Sequence, residues 1–376
     1  MKIAGIIAEY NPFHKGHEYQ IQRLRDLGYD GIVAVMSGNF VQRADTSLTD
    51  KYRRAEGAVC SGVDLVLELP LPYALASAED FALGGIEILS ATGVLDAVCC
   101  GCESGEEKNL RQYEALRKAE ESGVIKKKMK EGLSYPAACR LAITESGEAW
   151  SDEPNDVLAL AYRKALDQIA PKLPLIAIER KGNYHGGSEG YESAESIRKR
   201  LALGESVKDS LPAESYEMIK DTPYSDLKRL ERGILAYYRT VSPDELKHYY
   251  GMREGLPERI CKYAGEPTLT ELYDQVKTKR FPHSAVRRAV LCGYLKIPAK
   301  LPKTTYLRVL AFNEKGQEIL KDMKRKATLP MCSRFSTEMK TDLLVQTQLQ
   351  GDEIFALTLP EPGKIQQDMT ESAKKI

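Results

Sequence analysis

The chain has 376 residues, 43% of them hydrophobic and 29% charged, with 54 basic and 54 acidic side chains. That length supports two or three domains rather than one small core, and the composition is that of an ordinary globular protein, not a disordered one. A formal net charge of zero excludes a wholesale nucleic-acid coat but leaves room for a local basic surface.

The first two hundred residues alternate short apolar runs with amphipathic stretches. In chain order, "KIAGIIAEY" predicts a strand, 16–27 a helix, "GIVAVMSG" a strand, 49–61 a helix and "VDLVLELP" a strand. A helix over 78–91, a strand at "DAVCCGCE", helices over 106–131 and 155–169, and a strand at "LPLIAIER" complete the series. The strands are rich in Val, Ile and Leu and almost unbroken in hydrophobicity, which marks strands covered on both faces of a parallel sheet. Such alternation with right-handed crossovers gives a Rossmann-like, doubly wound α/β domain over residues 1–204.

Around 204–224 the pattern changes, and residues 205–376 are expected to form a mostly helical second domain. Helical periodicity runs through "DLKRLERGILAYYRTV", "SPDELKHYYGM", "LPERICKYAG", "TLTELYDQVKTKR" and "HSAVRRAVLCGYL", then one strand-like piece, "YLRVLAFN", and a further helix, "GQEILKDMKRKA". The polar end "QQDMTESAKKI" is expected to fray. Cysteines in runs such as "VCCGC" and "AVLCGYL" behave as small hydrophobes, and no metal site is expected. No basic start leads into a signal-type apolar core and no run approaches membrane-spanning length, so a cytoplasmic protein without membrane attachment is expected.

The first strand-to-helix corner, "EYNPFHKGH", carries two of the five histidines. In open α/β sheets ligands sit at the carboxyl ends of strands, where helix N-termini present bare N–H groups to anions. A three-residue step puts His14 and His17 on one face of the first helical turn. From there both rings can hold a polyphosphate as charge builds on the transferring phosphorus. Gly16 between them is expected to let a base or ribose approach the backbone. A metal pair or two structural histidines are the competing readings, and the corner is not a Walker A loop, since no GxxxxGK[ST] occurs.

With "EYNPFHKGH" stand "VAVMSGNFVQR", "GVDLVLELP", "CGCESG", "SYPAA", "EPNDVLALAY", "SAESIRK", "VKTKRFPHSAVRRAVL" and "LRVLAFNEKGQEIL". Together these segments resemble the bacterial tRNA(Met) cytidine acetate ligase family, within the HxGH nucleotidyltransferases, over nearly the whole chain. The resemblance implies attack of acetate on the α-phosphate of ATP, accompanied by Mg²⁺, to give acetyl-adenylate and pyrophosphate. The acetyl group would then pass to N4 of the wobble cytidine of elongator tRNA(Met), giving N4-acetylcytidine.

Residue by residue, the resemblance places nucleotide contacts on Ile7, Ala8, Glu9, Tyr10, Asn11, Pro12, Phe13, His14, Lys15, Gly16, His17, Glu18, Tyr19 and Gln20, and on Gly101, Asn155 and Arg180. It also implies that Ser193, Ser196 and Arg198 of "SAESIRK" grip the β- and γ-phosphates, with His14 and His17 as the catalytic pair. Two departures from the family pattern stand out. Glu195 replaces an expected threonine, with a place as the N3 acid of a capping box as its structural role, and "QRAD" lacks the glycine usual after the arginine. Small apolar residues near Ile7 and Ala8 are candidate walls for acetate.

The cluster Lys277, Lys279, Arg280, Arg287 and Arg288, with Phe281 and His283 among them, is a candidate tRNA surface: cations follow the phosphate backbone and an exposed ring stacks on a base. Solvated helix faces, with Phe281 in the core, are the plainer reading. The rival enzyme is an adenylyltransferase acting on a small phosphorylated metabolite, and the rival outside enzymes is an RNA-binding scaffold.

Overall fold

A computed structural model describes residues 1–180, 191–363 and 365–376. Ten strands occur among them: β1 (Ile3–Ala8), β2 (Gly31–Ser37), β3 (Phe40–Val41), β4 (Asp45–Thr46), β5 (Leu65–Leu69), β6 (Ala97–Cys102), β7 (Leu175–Glu179), β8 (Leu307–Phe312), β9 (Met331–Cys332) and β10 (Lys374–Lys375). β3 and β4 form a small hairpin, and the other eight form one sheet ordered β10-β8-β5-β2-β1-β6-β7, with β9 also paired to β8.

β5, β2, β1, β6 and β7 run parallel, so the third, second, first, fourth and fifth long strands lie side by side in that order. The order reverses between β1 and β6, and at such a switch point the crossover helices diverge and leave a crevice. Period-two alternation divides the core. Ile3, Ile7, Val33, Val35, Leu65 and Leu67 face the helices Ala78–Ala91 and Pro154–Ile169. Ala4, Ile6, Ile32, Ala34 and Val66 face the helices Lys15–Asp26 and Lys51–Cys60. Cys99 and Cys102 have CxxC spacing, yet three residues along a strand reverse the side-chain direction, and the two thiols lie in opposite cores.

Several expectations are adjusted. The helix foreseen over 106–131 is two, Glu106–Glu121 and Val124–Lys130, parted at Gly123 with φ +75°. A third helix, Tyr135–Glu145, closes a small core with them. β8, foreseen as part of the helical region, pairs antiparallel with β5 in the main sheet. The helical core after residue 205 is built by Glu231–Thr240, Leu256–Lys262, Leu269–Val276 and His283–Tyr294.

The polar tail is not frayed. Asp368 is fully buried, and β10 pairs with β8. Its anchor is Lys51, whose Nζ lies 2.7 Å from Glu68, 2.7 Å from Asp352 and 2.6 Å from Asp368. Arg308 Nη2 reaches Tyr52 Oη at 2.7 Å and Asp368 at 3.3 Å. These three carboxylates have the spacing of a cation site, and the Lys51 ammonium bonds to all three. No helix among the described residues is long and apolar enough to cross a membrane.

Candidate active site

A cavity of about 640 Å³ opens at the switch point, within the usual range for a small-molecule site. From the β1 corner it is lined by Ile7, Ala8, Glu9, Tyr10, Asn11, His14, Gly16, His17, Tyr19 and Gln20. Across the crevice stand Gly101, Asn155 and Arg180, and from the far rim Ser193 and Arg198. The structure thus brings together most residues singled out from the sequence. Pro12 and Phe13 are buried beneath the corner instead, Phe13 packing on the His17 ring at 5.4 Å. Glu18 is exposed, Lys15 fastens the corner by donating its N–H to Ser210 O, and neither they nor Ser196 line the cavity.

The two histidines are fixed by backbone hydrogen bonds. His14 is the N-cap of the helix Lys15–Asp26, and its Nδ1 accepts the Gly16 N–H at 3.0 Å. His17 Nδ1 accepts the His14 N–H at 3.2 Å, and the rings stack with centroids 3.8 Å apart. An imidazole that accepts at Nδ1 carries its proton at Nε2 when neutral. Neutrality is enforced: burial, then Arg180 and Arg198, push His14 down to about 3. Burial, then His14 and Arg180, hold His17 well below its ordinary value. The pair therefore offers two Nε2–H donors without full positive charges.

Gly16 has a more local purpose than the one foreseen. A Cβ there would lie 2.8 Å from His14 Cε1, so the missing side chain makes room for the capping ring. The corner is held from behind by buried Arg54, whose Nη1 donates to Glu9 O at 2.6 Å and whose Nη2 donates to Ser37 O at 3.0 Å. Glu9 Oε1 accepts the Gln42 N–H at 2.9 Å.

On the far side, Asn155 Nδ2 donates to Glu103, and the buried Asp156 accepts the N–H groups of Glu103 and Ser104 at 2.9 and 3.1 Å. These bonds tie the end of β6 to the start of the helix Pro154–Ile169. Arg180 lines the cavity with no acidic partner among the described residues. Arg198 Nη1 donates to Asn11 O at 2.7 Å.

The helix Ala194–Ala202 is capped by Ser193 Oγ, which accepts the Ser196 N–H at 3.2 Å, while the Ser196 hydroxyl donates to Glu192. Glu195 is not the N3 acid foreseen, a place Ser196 holds. It pairs with Arg43 at 3.1 Å and Lys199 at 2.8 Å, which offsets its charge at the cavity rim.

The candidate tRNA cluster divides. Arg287 and Arg288 line the cavity together with His283 and Ser284. Arg288 donates to Gln42 O at 3.2 Å, and Arg287 to Ala44 O at 3.4 Å, with Asp45 at 3.6 Å. Lys277, Lys279 and Arg280 lie outside the cavity and are exposed. Phe281 is 6% exposed and belongs to the helical core, so it presents no ring for stacking. The sequence reading missed Gln42, Arg43, Phe81 and Tyr162 in the lining. Only the stripe Asn155, Leu158, Tyr162 on one helical face signals the last of them.

This arrangement, neutral paired imidazoles at a helix N-terminus facing arginines across a switch point, suits phosphoryl-centre chemistry. A model described as HIGH Nucleotidyl Transferase matches residues 1–371. A tRNA(Met) cytidine acetate ligase of Thermosipho africanus is 32% identical over 380 residues, spanning 94% of this chain and 90% of its own. One of Caldicellulosiruptor bescii is 34% identical over 351 residues, spanning 87% and 86%.

The chain belongs to the tRNA(Met) cytidine acetate ligase family of HIGH nucleotidyl transferases. The fold agrees over its full extent. Apo Thermotoga maritima TmcAL superposes with a TM-score of 0.90 at 30% identity, covering 100% of both chains. The same protein bound with alpha-thio ATP gives 0.88 at 29% identity, covering 100% of this chain and 99% of its own.

Proposed function

We propose that the protein is an ATP-dependent acetate ligase acting in the cytoplasm on elongator tRNA(Met). A carboxylate oxygen of acetate attacks the α-phosphorus of ATP, the bond to the β-phosphate breaks, and acetyl-adenylate and pyrophosphate form. N4 of the wobble cytidine then attacks the acetyl carbonyl, AMP leaves, and the amine gives up one proton.

The observation that carries this reading is the pair of Nε2–H donors held by backbone bonds at His14 and His17. Donors fixed in advance stabilise charge that grows on the phosphorus and leaving group without reorganising. Arg180 and Arg198 border the same cavity and would offset phosphate charge, with Ser193 and the start of its helix beyond them. Mg²⁺ would arrive on the triphosphate, since among the described residues the only three-carboxylate cluster is the one bonded to Lys51.

Arg287 and Arg288 connect the helical region of 205–376 to this cavity, and exposed Lys277, Lys279 and Arg280 continue the positive surface outward. We assign tRNA binding to that face. The test is mass spectrometry of nucleosides from tRNA(Met) incubated with the protein, ATP and isotopically labelled acetate. N4-acetylcytidine carrying the label is the expected product, and its absence would refute the ligase reading.

A further inference from the structure

The same cavity has an apolar end that the phosphate chemistry does not use. Ala78 and Phe81 come to it from the helix Ala78–Ala91, and Leu158 and Tyr162 from the helix Pro154–Ile169. Each pair is spaced three or four residues apart, so each falls on one helical face. Ile7 closes the floor, near the end of β1 and just before the histidine corner.

Tyr162 is 4% exposed and Phe81 2%, so these rings are parts of the core that reach the cavity. The Tyr162 hydroxyl makes no hydrogen bond to the described residues and, in a side chain that lines the cavity, is not among the fully buried polar atoms, so it is open to that cavity. An unbonded hydroxyl at the end of an otherwise buried ring is free to donate to a ligand in the cavity. Burial, followed by Cys100 and Glu9, holds this phenol well above its ordinary range, so it remains a donor.

We propose that this end is the acyl subsite, with Ala78, Phe81 and Leu158 enclosing the methyl group and the Tyr162 hydroxyl donating to an acyl oxygen. The proposal rests on the acetate-activation reading. An adenine ring is the competing occupant, but it needs several edge partners, and the strand-end groups at Gly101, Ile178 and Arg180 are better placed to supply them. A small apolar wall with a single donor matches a short carboxylic acid. The subsite would also set chain length, since one methylene in a closed apolar pocket changes selectivity by roughly 10- to 200-fold.

The test measures acyl-adenylate formation, by mass spectrometry and pyrophosphate release, with acetate, propionate and butyrate. In Tyr162→Phe, the KM for acetate should rise roughly tenfold or more, from loss of a hydrogen bond to a charged group, with the KM for ATP unchanged. Leu158→Ala should shift preference toward propionate, and Ala78→Leu, at a half-buried position at the edge of the core, should depress acetate use.

Unchanged chain-length preference in both Leu158→Ala and Ala78→Leu, with acetyl-adenylate still formed, would overturn the subsite while leaving the ligase reading intact. A raised KM for ATP rather than acetate in Tyr162→Phe would give the apolar end to adenine and overturn it too. Failure of the wild-type protein to form any acyl-adenylate would sink the activation reading, and this subsite with it.

Discussion

His17 holds His14 by the backbone: its Nδ1 accepts the His14 N–H at 3.2 Å while the two rings stack at 3.8 Å. Helix capping and the proposed catalysis are thus two uses of opposite edges of the same rings. His14→Asn separates them, because asparagine remains a good N-cap but removes the imidazole. Acetyl-adenylate formation should fall by roughly 10²- to 10³-fold, as for loss of one preorganised donor. His14→Ala should show the same rate loss plus about 1 kcal/mol of destabilisation from the missing cap. Pyrophosphate release and urea unfolding measure the two effects separately.

The depressed histidines also set a pH dependence. The unfolded chain takes up protons below the ordinary histidine value of about 6.5, while folded His14 resists them down to about 3. The unfolded state therefore binds more protons in that window, and stability falls as pH drops through it. Between pH 7.5 and pH 5 the wild-type protein should lose more stability than His14→Asn/His17→Asn. Denaturant titrations of both proteins at the two pH values check the sign.

Lys51 faces three buried carboxyls, with Arg308 as the second cation. Burial, with Asp368 adding to it, raises Asp352 far above the usual carboxylate range. Burial opposes ionisation of Asp368 as well, but Lys51 and Arg308 hold it below its usual value. With two cations facing three carboxyls, a proton on Asp352 would make the cluster neutral. Lys51→Met should therefore cost about 3–5 kcal/mol, as for an uncompensated buried charge. Asp352→Asn removes one charge but sets an amide NH2 against either the Asn39 or the Lys51 donor, so it should cost less than Lys51→Met, about 1–3 kcal/mol. Urea unfolding of the two variants decides it.

The basic face gives a prediction free of the cavity. Lys277→Glu/Lys279→Glu/Arg280→Glu alters exposed positions only and should weaken tRNA binding by at least roughly tenfold at low salt, with a shallower salt dependence. Acetyl-adenylate formation should be unchanged. Filter binding across a salt series, alongside pyrophosphate release, would expose a wrong assignment through unaltered tRNA affinity. Arg287 and Arg288 are unsuited to this test, since both brace the 42–45 loop.

Much of the parallel part of the sheet was legible because buried parallel strands leave unbroken apolar runs, and the corner was legible because His14 and His17 follow the first of them directly. What stayed hidden depends on partners distant in sequence. β8 joins β5 across more than two hundred residues, and Asp368 is buried only because Lys51 meets it. A polar tail looks frayed when its partner cannot be seen. Phe281 illustrates the opposite difficulty, since a ring among cations looks exposed until the helices pack around it. The odd sequence at "QRAD" has a geometric counterpart: Ala44 takes φ +58°, a conformation that glycine adopts at lower cost.

The account turns on the neutral imidazole pair promoting displacement at the α-phosphorus. The direct measurement is the rate of acetyl-adenylate formation from ATP and labelled acetate, without tRNA, by the wild-type protein and by His14→Ala/His17→Ala. Rapid formation by the former and a loss of at least roughly a hundredfold in the latter are expected. Equal rates in the two proteins would contradict it.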